Sequence, residues 1–278
     1  MSAFADMNIA GSNGIGGRVN NAIAMASRRT GIDFGYLLGQ AKIESSLNPT
    51  ARATTSSATG LYQFIDQSWL AVVNDHGAEY GLSWASDAIS KGTNGRYYVA
   101  DPELRQQILD LRKHPETASV MAAEHAADNK AYLERRLGRE AEPTDLYLAH
   151  FLGVGGAAKF LAANEATPGA AAASLFPAAA RANRSVFFDR QGSPRSFADI
   201  RAKFAAKLDQ NSQGASVQYA TVQTPSDWSL PEGSKAVQPA DYVRIETQRL
   251  AAQGEIDTNK PQPATARLAY LMLATFGR

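Results

Sequence analysis

Apolar residues recur at intervals of three and four positions along most of the chain up to residue 209, and this periodicity constrains the fold more than any other feature. Such spacing places the apolar side chains on one face of an α-helix. The pattern is clear in residues 34–41 and returns in residues 102–132 and 197–208. Runs that alternate between apolar and polar residues, which would predict strands, are scarce. We therefore expect a mainly α-helical body with little or no β-structure.

Length and composition narrow the classes of protein that this chain can belong to. A chain of 278 residues with 44% hydrophobic content can bury one substantial core, in one or two domains. The net charge of +1 leaves no basic surface typical of nucleic-acid binding, so we expect no nucleic-acid partner. With no cysteine and four histidines that lack metal-ligand spacing, we expect neither a metal nor a cofactor. No apolar run is long enough to span a membrane.

Local signals predict several element boundaries. A first helix is expected over about residues 19–27, and Asp66 and Thr144 are suitable caps for two later helices. Residues 86–98 are expected to form a loop, because glycine, asparagine and lysine interrupt the periodicity. Residues 182–200 are expected to form a loop held on the core by two phenylalanines, with a cleft wall as the alternative.

One glutamate falls on a helical face that should be buried. Asp33 is a plausible N-cap, and the spacing of Leu37 and Ala41 continues to Glu44. Burial without a basic residue on the same face predicts a raised pKa for Glu44, because desolvation disfavours the charged form. The breaker pair at residues 48–49 ends the helix nearby, so a cleft can reach the carboxyl. A solvent-exposed glutamate is the alternative, since charged side chains are rarely fully buried.

Two stretches resemble the paired signatures of the soluble lytic transglycosylases and the related goose-type muramidases. They are ESSLNP, which begins at Glu44, and ATGLYQF, which ends at Phe64. The family patterns are E-S-x-x-N-P and G-x-x-G-L-x-Q, and the 19 positions from Glu44 to Gln63 match their separation. A third stretch, LYLAHFLGVGGAAKFL at residues 146–161, resembles the family's alanine, aromatic pair and glycine turn. The resemblance implies a lysozyme-like catalytic domain.

The resemblance also implies a reaction. Glu44 would be the single catalytic carboxylate, which protonates the glycosidic oxygen between N-acetylmuramic acid and N-acetylglucosamine in peptidoglycan. It would then act as base while the muramic 6-hydroxyl attacks the anomeric carbon, giving a 1,6-anhydro product. Assistance by the 2-acetamido group would explain the missing second carboxylate. One alternative is a hydrolytic muramidase that uses Asp66 or Asp75 to activate water; another is a non-catalytic, glycan-binding component of an assembly.

Three residues of the loop are expected to bind the substrate. Gln63 matches the family glutamine that hydrogen-bonds near the scissile bond. Tyr62 stands where the family often has methionine and is interpreted as an aromatic platform for a sugar ring. Ser57, in the hydroxyl-rich turn between the two signatures, completes this set.

The third stretch departs from the family pattern. The family usually has tyrosine then asparagine, whereas this chain has His150 then Phe151. Either His150 takes the role of the tyrosine near Glu44, or Tyr147, one turn earlier, does so. A core histidine with satisfied hydrogen bonds is the alternative interpretation of His150.

We divide the chain into a flexible lead at residues 1–17, the lysozyme-like transglycosylase domain at 18–209, and a linker with a tail at 210–278. The linker is rich in serine, glutamine, threonine, glycine and proline, and the tail carries a short apolar stripe. That stripe could bind a flagellar, secretion or virion protein as an amphipathic helix. The first residues do not resemble a secretory signal. The substrate would nevertheless place the protein in the periplasm or cell envelope.

Overall fold

Residues 15–212 are the part of the chain that the computed structural model describes. In this part the chain is mainly α-helical with a single two-stranded antiparallel sheet, which confirms the prediction of a mainly helical body. No helix within these residues is long and apolar enough to span a membrane. The interpretations of the lead before residue 15 and of the tail after residue 212 lie outside the described residues.

The helices and strands of the described part follow one another with short connections, except for residues 46–65 between α2 and α3. The longer helices are α1 (Ile15–Thr30), α2 (Phe34–Ser45), α3 (Asp66–His76), α5 (Pro102–Asp110), α6 (Pro115–Leu137), α7 (Pro143–Leu152), α8 (Val154–Ala166) and α12 (Phe197–Ser212). The short helices are α4 (Ser83–Ser86), α9 (Ala172–Leu175), α10 (Pro177–Ala182) and α11 (Arg184–Phe187). Strands β1 (Ser90–Lys91) and β2 (Tyr97–Tyr98) pair with Ser90 opposite Tyr98, and 3-10 turns occupy Gly77–Tyr80 and Leu111–Lys113.

Helix α6 is the centre of the body. It packs against α1, α3, α7 and α8, and α12 packs against α2 and α7. The buried face of α6 consists largely of small residues, which lets neighbouring helices approach closely: Ala118, Ser119, Ala122, Ala123 and Ala126. Larger buried side chains from the surrounding helices, such as Trp69 and Phe160, fill the remaining space. Each fully buried large side chain of this kind contributes about 1.5–3 kcal/mol to stability.

Helix α2 begins and ends close to the predicted positions. The Asp33 carboxylate accepts a hydrogen bond of 2.7 Å from the backbone N–H of Tyr36, which confirms the predicted N-cap. The helix ends at Ser45, before the breaker pair, and Ser46 and Leu47 then adopt left-handed conformations with φ of 53° and 63°. Left-handed backbone is strained in residues other than glycine. A strained turn therefore follows directly after Glu44.

Two predicted caps are wrong. Helix α3 has Ile65, not Asp66, at its N-cap position, because the Asp66 carboxylate binds two arginines instead. Helix α7 has Glu142 at its N-cap in a reciprocal capping box with Asp145, so Thr144 lies inside the helix. At α3 the Asp66 carboxylate pairs with the two arginines instead of capping the helix, and at α7 the carboxylate of Glu142, two residues before Thr144, caps the helix in its place.

Two predicted loops contain regular structure. Residues 86–98 include the short antiparallel pair of β1 and β2, closed by a turn in which Gly95 has a φ of 76°. Residues 182–200 include α11 and the start of α12. The two phenylalanines of this stretch do pack on the core: Phe187 is buried and Phe188 is half-buried. The predicted helix over 197–208 is present and continues to Ser212.

A buried carboxylate fixes the position of α7, the helix that reaches the site described below. Asp145 is fully buried and binds Arg139 at 2.7 Å and Arg201 at 3.1 Å. Arg139 precedes α7 and Arg201 lies on α12, so one carboxylate joins three parts of the chain. Because removing one partner of a buried ion pair leaves an uncompensated charge, this junction is expected to tolerate little change.

Candidate active site

Glu44 lies in the last turn of α2, where the helix reaches the edge of the packed body. Its side chain is 21% exposed, so it is half-buried, less than its place on the apolar face of the helix predicts. The helix ends one residue later, and the chain turns away through Ser46 and Leu47 instead of covering the carboxyl. The carboxyl is therefore held by the protein and open to a ligand at the same time.

Two side chains of α7 meet the same oxygen of Glu44. The Tyr147 hydroxyl lies 3.4 Å from Glu44 Oε1 and donates a hydrogen bond to it, and His150 Nε2 also lies 3.4 Å from that atom. Residues three apart share one face of a helix, which explains why both reach Glu44. The sequence left open whether His150 or Tyr147 lies near Glu44, and both do.

Tyr147 stays protonated at physiological pH. Burial raises the pKa of its hydroxyl, and the charge of Glu44 and the hydrogen bond to it raise that pKa further. Its ring packs edge-on against Phe204 of α12, with the ring centroids 5.4 Å apart. Tyr147 is thus a fixed donor, held in place by a helix more than 50 residues further along the chain.

A second tyrosine lies behind the carboxyl. Tyr36 of α2 is buried, and burial, followed by the neighbouring Tyr62, Tyr147 and Glu44, raises the pKa of its hydroxyl. A neutral phenol behind Glu44 keeps the inner wall of the site uncharged. The sequence analysis did not identify Tyr36; its position two turns before Glu44 on the same helix was the available signal.

The loop at residues 48–64 is tied to the end of α2. Ser45 Oγ donates to the carbonyl oxygens of Leu61 (2.8 Å) and Ala41 (3.1 Å), which links the two sequence signatures directly. Gly60 has a φ of 85°, and a Cβ at this position would lie 2.0 Å from the carbonyl oxygen of Arg112. Only glycine fits there, which gives the glycine of the second signature a packing reason.

Arg112 is the main support of this loop, and the sequence analysis missed it. The side chain is buried, and its Nη1 donates to the carbonyl oxygens of Ser57 (2.9 Å) and Phe64 (2.9 Å) and to Asp66 Oδ1 (3.0 Å). A planar guanidinium can make several such bonds at once. These contacts join residues 46 to 55 positions apart in the chain, a separation that local patterns do not reveal.

The three predicted substrate-binding residues of the loop have different environments. Gln63 donates from Nε2 to the carbonyl oxygens of Gly60 (2.9 Å) and Ala51 (3.2 Å), so its amide nitrogen braces the loop. Tyr62 is only 1% exposed, and its ring offers no face to a sugar; the interpretation as an aromatic platform is therefore wrong. Ser57 is exposed, and its Oγ accepts a bond from the backbone N–H of Asp66.

The carboxylates considered for water activation are placed differently from Glu44. Asp66 binds Arg105 at 2.6 Å and Arg112 at 3.0 Å, so its charge is already compensated. Asp75 is exposed near the end of α3. The contacts of Glu44 described above come from a tyrosine and a histidine, and neither aspartate is among them.

No protein-family model matches the chain.

Proposed function

We propose that this protein is a peptidoglycan lytic transglycosylase that cleaves the β-1,4 bond between N-acetylmuramic acid and N-acetylglucosamine. The observation that carries the proposal is the setting of Glu44. It is a partly exposed carboxyl at a helix end, with two side chains of α7 close to one of its oxygens and the second signature loop tied to its helix. The resemblance of both signatures to the transglycosylase patterns supports the choice of substrate and product.

The proposed reaction uses Glu44 twice. Protonated Glu44 donates its proton to the glycosidic oxygen as the bond from that oxygen to the anomeric carbon breaks. The 2-acetamido oxygen stabilises the anomeric carbon while Glu44 is a carboxylate. Glu44 then takes the proton of the muramic 6-hydroxyl as that oxygen bonds to the anomeric carbon and displaces the acetamido oxygen. One carboxyl suffices because it returns to its protonated form at the end, without consuming water.

Tyr147 and His150 have a positioning role in this scheme. A carboxyl that must first give and then take a proton has to keep its orientation through both steps, and a fixed geometry contributes strongly to rate. Both groups contact Oε1, and the loop supported by Arg112 and braced by Gln63 is joined to the end of the same helix through Ser45. Ser57, exposed on that loop, is the residue that we propose binds a glycan hydroxyl.

The proposed substrate places the protein in the periplasm or cell envelope. Local opening of the wall for a flagellar, secretion or phage machine is the role that we propose for this activity. A partner from such a machine would bind through residues beyond 212, which lie outside the described part of the chain.

The test is the release of soluble fragments from purified peptidoglycan sacculi. Glu44→Gln keeps the size of the side chain but removes the acid, so we expect release to fall at least about a hundredfold. Glu103→Gln is the matched control, because Glu103 is exposed in the first turn of α5. Circular dichroism should show that both variants are folded. Full release by Glu44→Gln would refute the proposed role, and wild-type protein that binds sacculi without releasing fragments would indicate a glycan-binding function.

A further inference from the structure

Gln40 is a buried polar residue with no role in the mechanism described above. It lies one turn before Glu44 on α2 and is 5% exposed. Its Nε2 lies 3.2 Å from His150 Nδ1, across 110 positions of sequence. Its Oε1 is buried without a hydrogen-bond partner among the described residues. Burial of an amide that is only half satisfied is unfavourable, so its single contact with His150 requires an explanation.

The contact fixes the protonation pattern of the imidazole. The nitrogen of an amide side chain donates hydrogen bonds and cannot accept them. His150 Nδ1 must therefore accept the bond from Gln40, and an accepting ring nitrogen carries no proton. A neutral imidazole then carries its proton on Nε2. His150 Nε2 is the atom that lies 3.4 Å from Glu44 Oε1, so in this tautomer the proton-bearing nitrogen is the one beside the carboxyl.

The two oxygens of Glu44 consequently have different surroundings. Oε1 faces the Tyr147 hydroxyl and His150 Nε2, each at 3.4 Å. An oxygen that accepts a hydrogen bond from Tyr147 and lies beside a proton-bearing nitrogen of His150 is a poor place for the proton that must be handed to the substrate. The other oxygen, Oε2, is the better position for the exchangeable proton.

We propose that Gln40 is a positioning residue of the active site: it holds His150 in the Nε2–H tautomer, so that His150 and Tyr147 anchor Oε1 and leave Oε2 to exchange the catalytic proton. The assignment of Oε2 to catalysis rests on the proposed function. The tautomer of His150 does not, and it can be measured in the absence of any substrate.

The groups around this pair determine the conditions of the test. Besides Glu44, the titratable side chains next to His150 are Tyr147, whose ring centroid lies 6.1 Å away, and His125; Tyr36 and Lys207 lie beside Tyr147. Burial lowers the pKa of His125, and the charge of His150 lowers it further, so His125 is neutral near pH 7.5. Both tyrosines have raised pKa values and remain neutral as well. The measurement near pH 7.5 therefore reports on His150 with these three neighbours in one protonation state.

The test is ¹⁵N-correlated NMR of the histidine rings in the full chain near pH 7.5. His150→Asn assigns the His150 signals among those of the four histidines. We expect a protonated, pyrrole-type Nε2 and an unprotonated, pyridine-type Nδ1 in the wild type. Gln40→Glu places an acceptor opposite Nδ1 and should convert His150 to a form that carries a proton on Nδ1. Wild-type protein with the proton on Nδ1, or with both nitrogens protonated, would overturn the proposal without any variant of Gln40.

Activity measurements separate this inference from the proposed function. Gln40→Glu should lower kcat about tenfold with little change in KM, because a misplaced catalytic group costs up to about a hundredfold in rate. Gln191→Glu, an equivalent change at an exposed loop residue, should leave both constants unchanged. The expected tautomer in a protein that does not cleave peptidoglycan would refute the proposed function alone. Cleavage by a protein whose His150 carries its proton on Nδ1 would refute the inference alone, as would full kcat in Gln40→Glu.

Discussion

At the scale of single residues, the site is a carboxyl whose orientation depends on side chains from another helix. Glu44 belongs to α2, while Tyr147 and His150 come from α7, and Phe204 of α12 packs against the ring of Tyr147. The position of Glu44 at a helix end keeps it 21% exposed, despite the apolar face on which it lies. A proton donor for a large ligand needs this combination of access and fixed geometry.

Tyr147→Phe tests the contribution of one donor to Glu44. The ring and its contact with Phe204 remain, so we expect the free energy of unfolding to change by less than about 1 kcal/mol. The loss of the hydroxyl should lower the rate of fragment release about tenfold or more. Tyr132→Phe on the exposed part of α6 is the matched control and should have no effect. Unchanged release by Tyr147→Phe would show that the hydroxyl does not position Glu44.

The sequence predicted the residues of the site that belong to local signatures. Glu44 followed from helical spacing, and the third stretch pointed to Tyr147 and His150. Gln40 and Arg112 were missed, because their contacts join positions 46 to 110 residues apart and no short pattern records them. Predictions from periodicity specify the face of a helix but not how far a side chain at its end extends into solvent.

At the scale of elements, the site depends on how α2 ends and how the following loop is held. Ser45 binds the loop through the carbonyl oxygen of Leu61, and Arg112 holds the loop from the opposite side. The N-cap and the end of α2 were predictable, since both depend on neighbouring residues. The start of α3 was not predictable, because the Asp66 carboxylate binds arginines that lie about 40 residues further along the chain.

Gly60→Ala tests the close approach of the loop to Arg112. A Cβ would lie 2.0 Å from the carbonyl oxygen of Arg112, and the φ of 85° is unfavourable for alanine. We expect the free energy of unfolding in urea to fall by about 3 kcal/mol, with a parallel loss of activity. Gly95→Ala is the matched control: its φ of 76° is similar but no atom lies within 4 Å, so a loss of about 1 kcal/mol is expected. Equal losses in the two variants would contradict the proposed packing role.

Ser46→Gly tests the strain at the end of α2. Ser46 has a φ of 53° and an exposed side chain, and its backbone N–H caps the helix in either variant. Glycine adopts this conformation readily, so we expect the free energy of unfolding to rise by about 0.5–1 kcal/mol. Fragment release measured alongside shows whether the strain is needed for activity. A decrease in stability would mean that the serine is not strained there.

At the scale of the whole molecule, helices distant in sequence meet around α6, and polar contacts add to this packing. His76, at the end of α3, lies 2.8 Å from Asp128 and 3.7 Å from Glu124, both on α6. Tyr80, just after α3, also donates a hydrogen bond to Glu124. The His76 and Tyr80 contacts join the part of the chain that follows the loop at residues 48–64 to the central helix α6.

The contact between His76 and Asp128 predicts that the free energy of unfolding depends on pH. Burial alone would lower the pKa of His76, but the hydrogen bond to Asp128 and the nearby carboxylates outweigh it, so that the pKa is raised. A histidine whose pKa is higher in the folded than in the unfolded state stabilises the protein fully below its unfolded pKa, about 6.5, and loses this effect as pH rises through the folded value. We expect His76→Gln to lower the free energy of unfolding by about 1 kcal/mol at pH 5.5 and by less at pH 8.5.

Urea denaturation at both pH values checks this prediction. Asp128→Asn should reproduce most of the effect of His76→Gln, because it removes the shorter contact of His76 and leaves the one with Glu124. A double variant should lose no more stability than His76→Gln alone. If the variants lost more unfolding free energy relative to the wild type at pH 8.5 than at pH 5.5, the result would contradict a raised pKa of His76 in the folded state.

The central claim, that Glu44 is the single acid and base of a transglycosylase, is tested most directly by mass spectrometry of the fragments released from sacculi. Wild-type protein should release products that end in 1,6-anhydro-N-acetylmuramic acid, each lighter by one water than the hydrolytic product. Folded Glu44→Gln should release them at least about a hundredfold more slowly. Products with a free reducing end, or anhydro products from Glu44→Gln at the wild-type rate, would contradict the account.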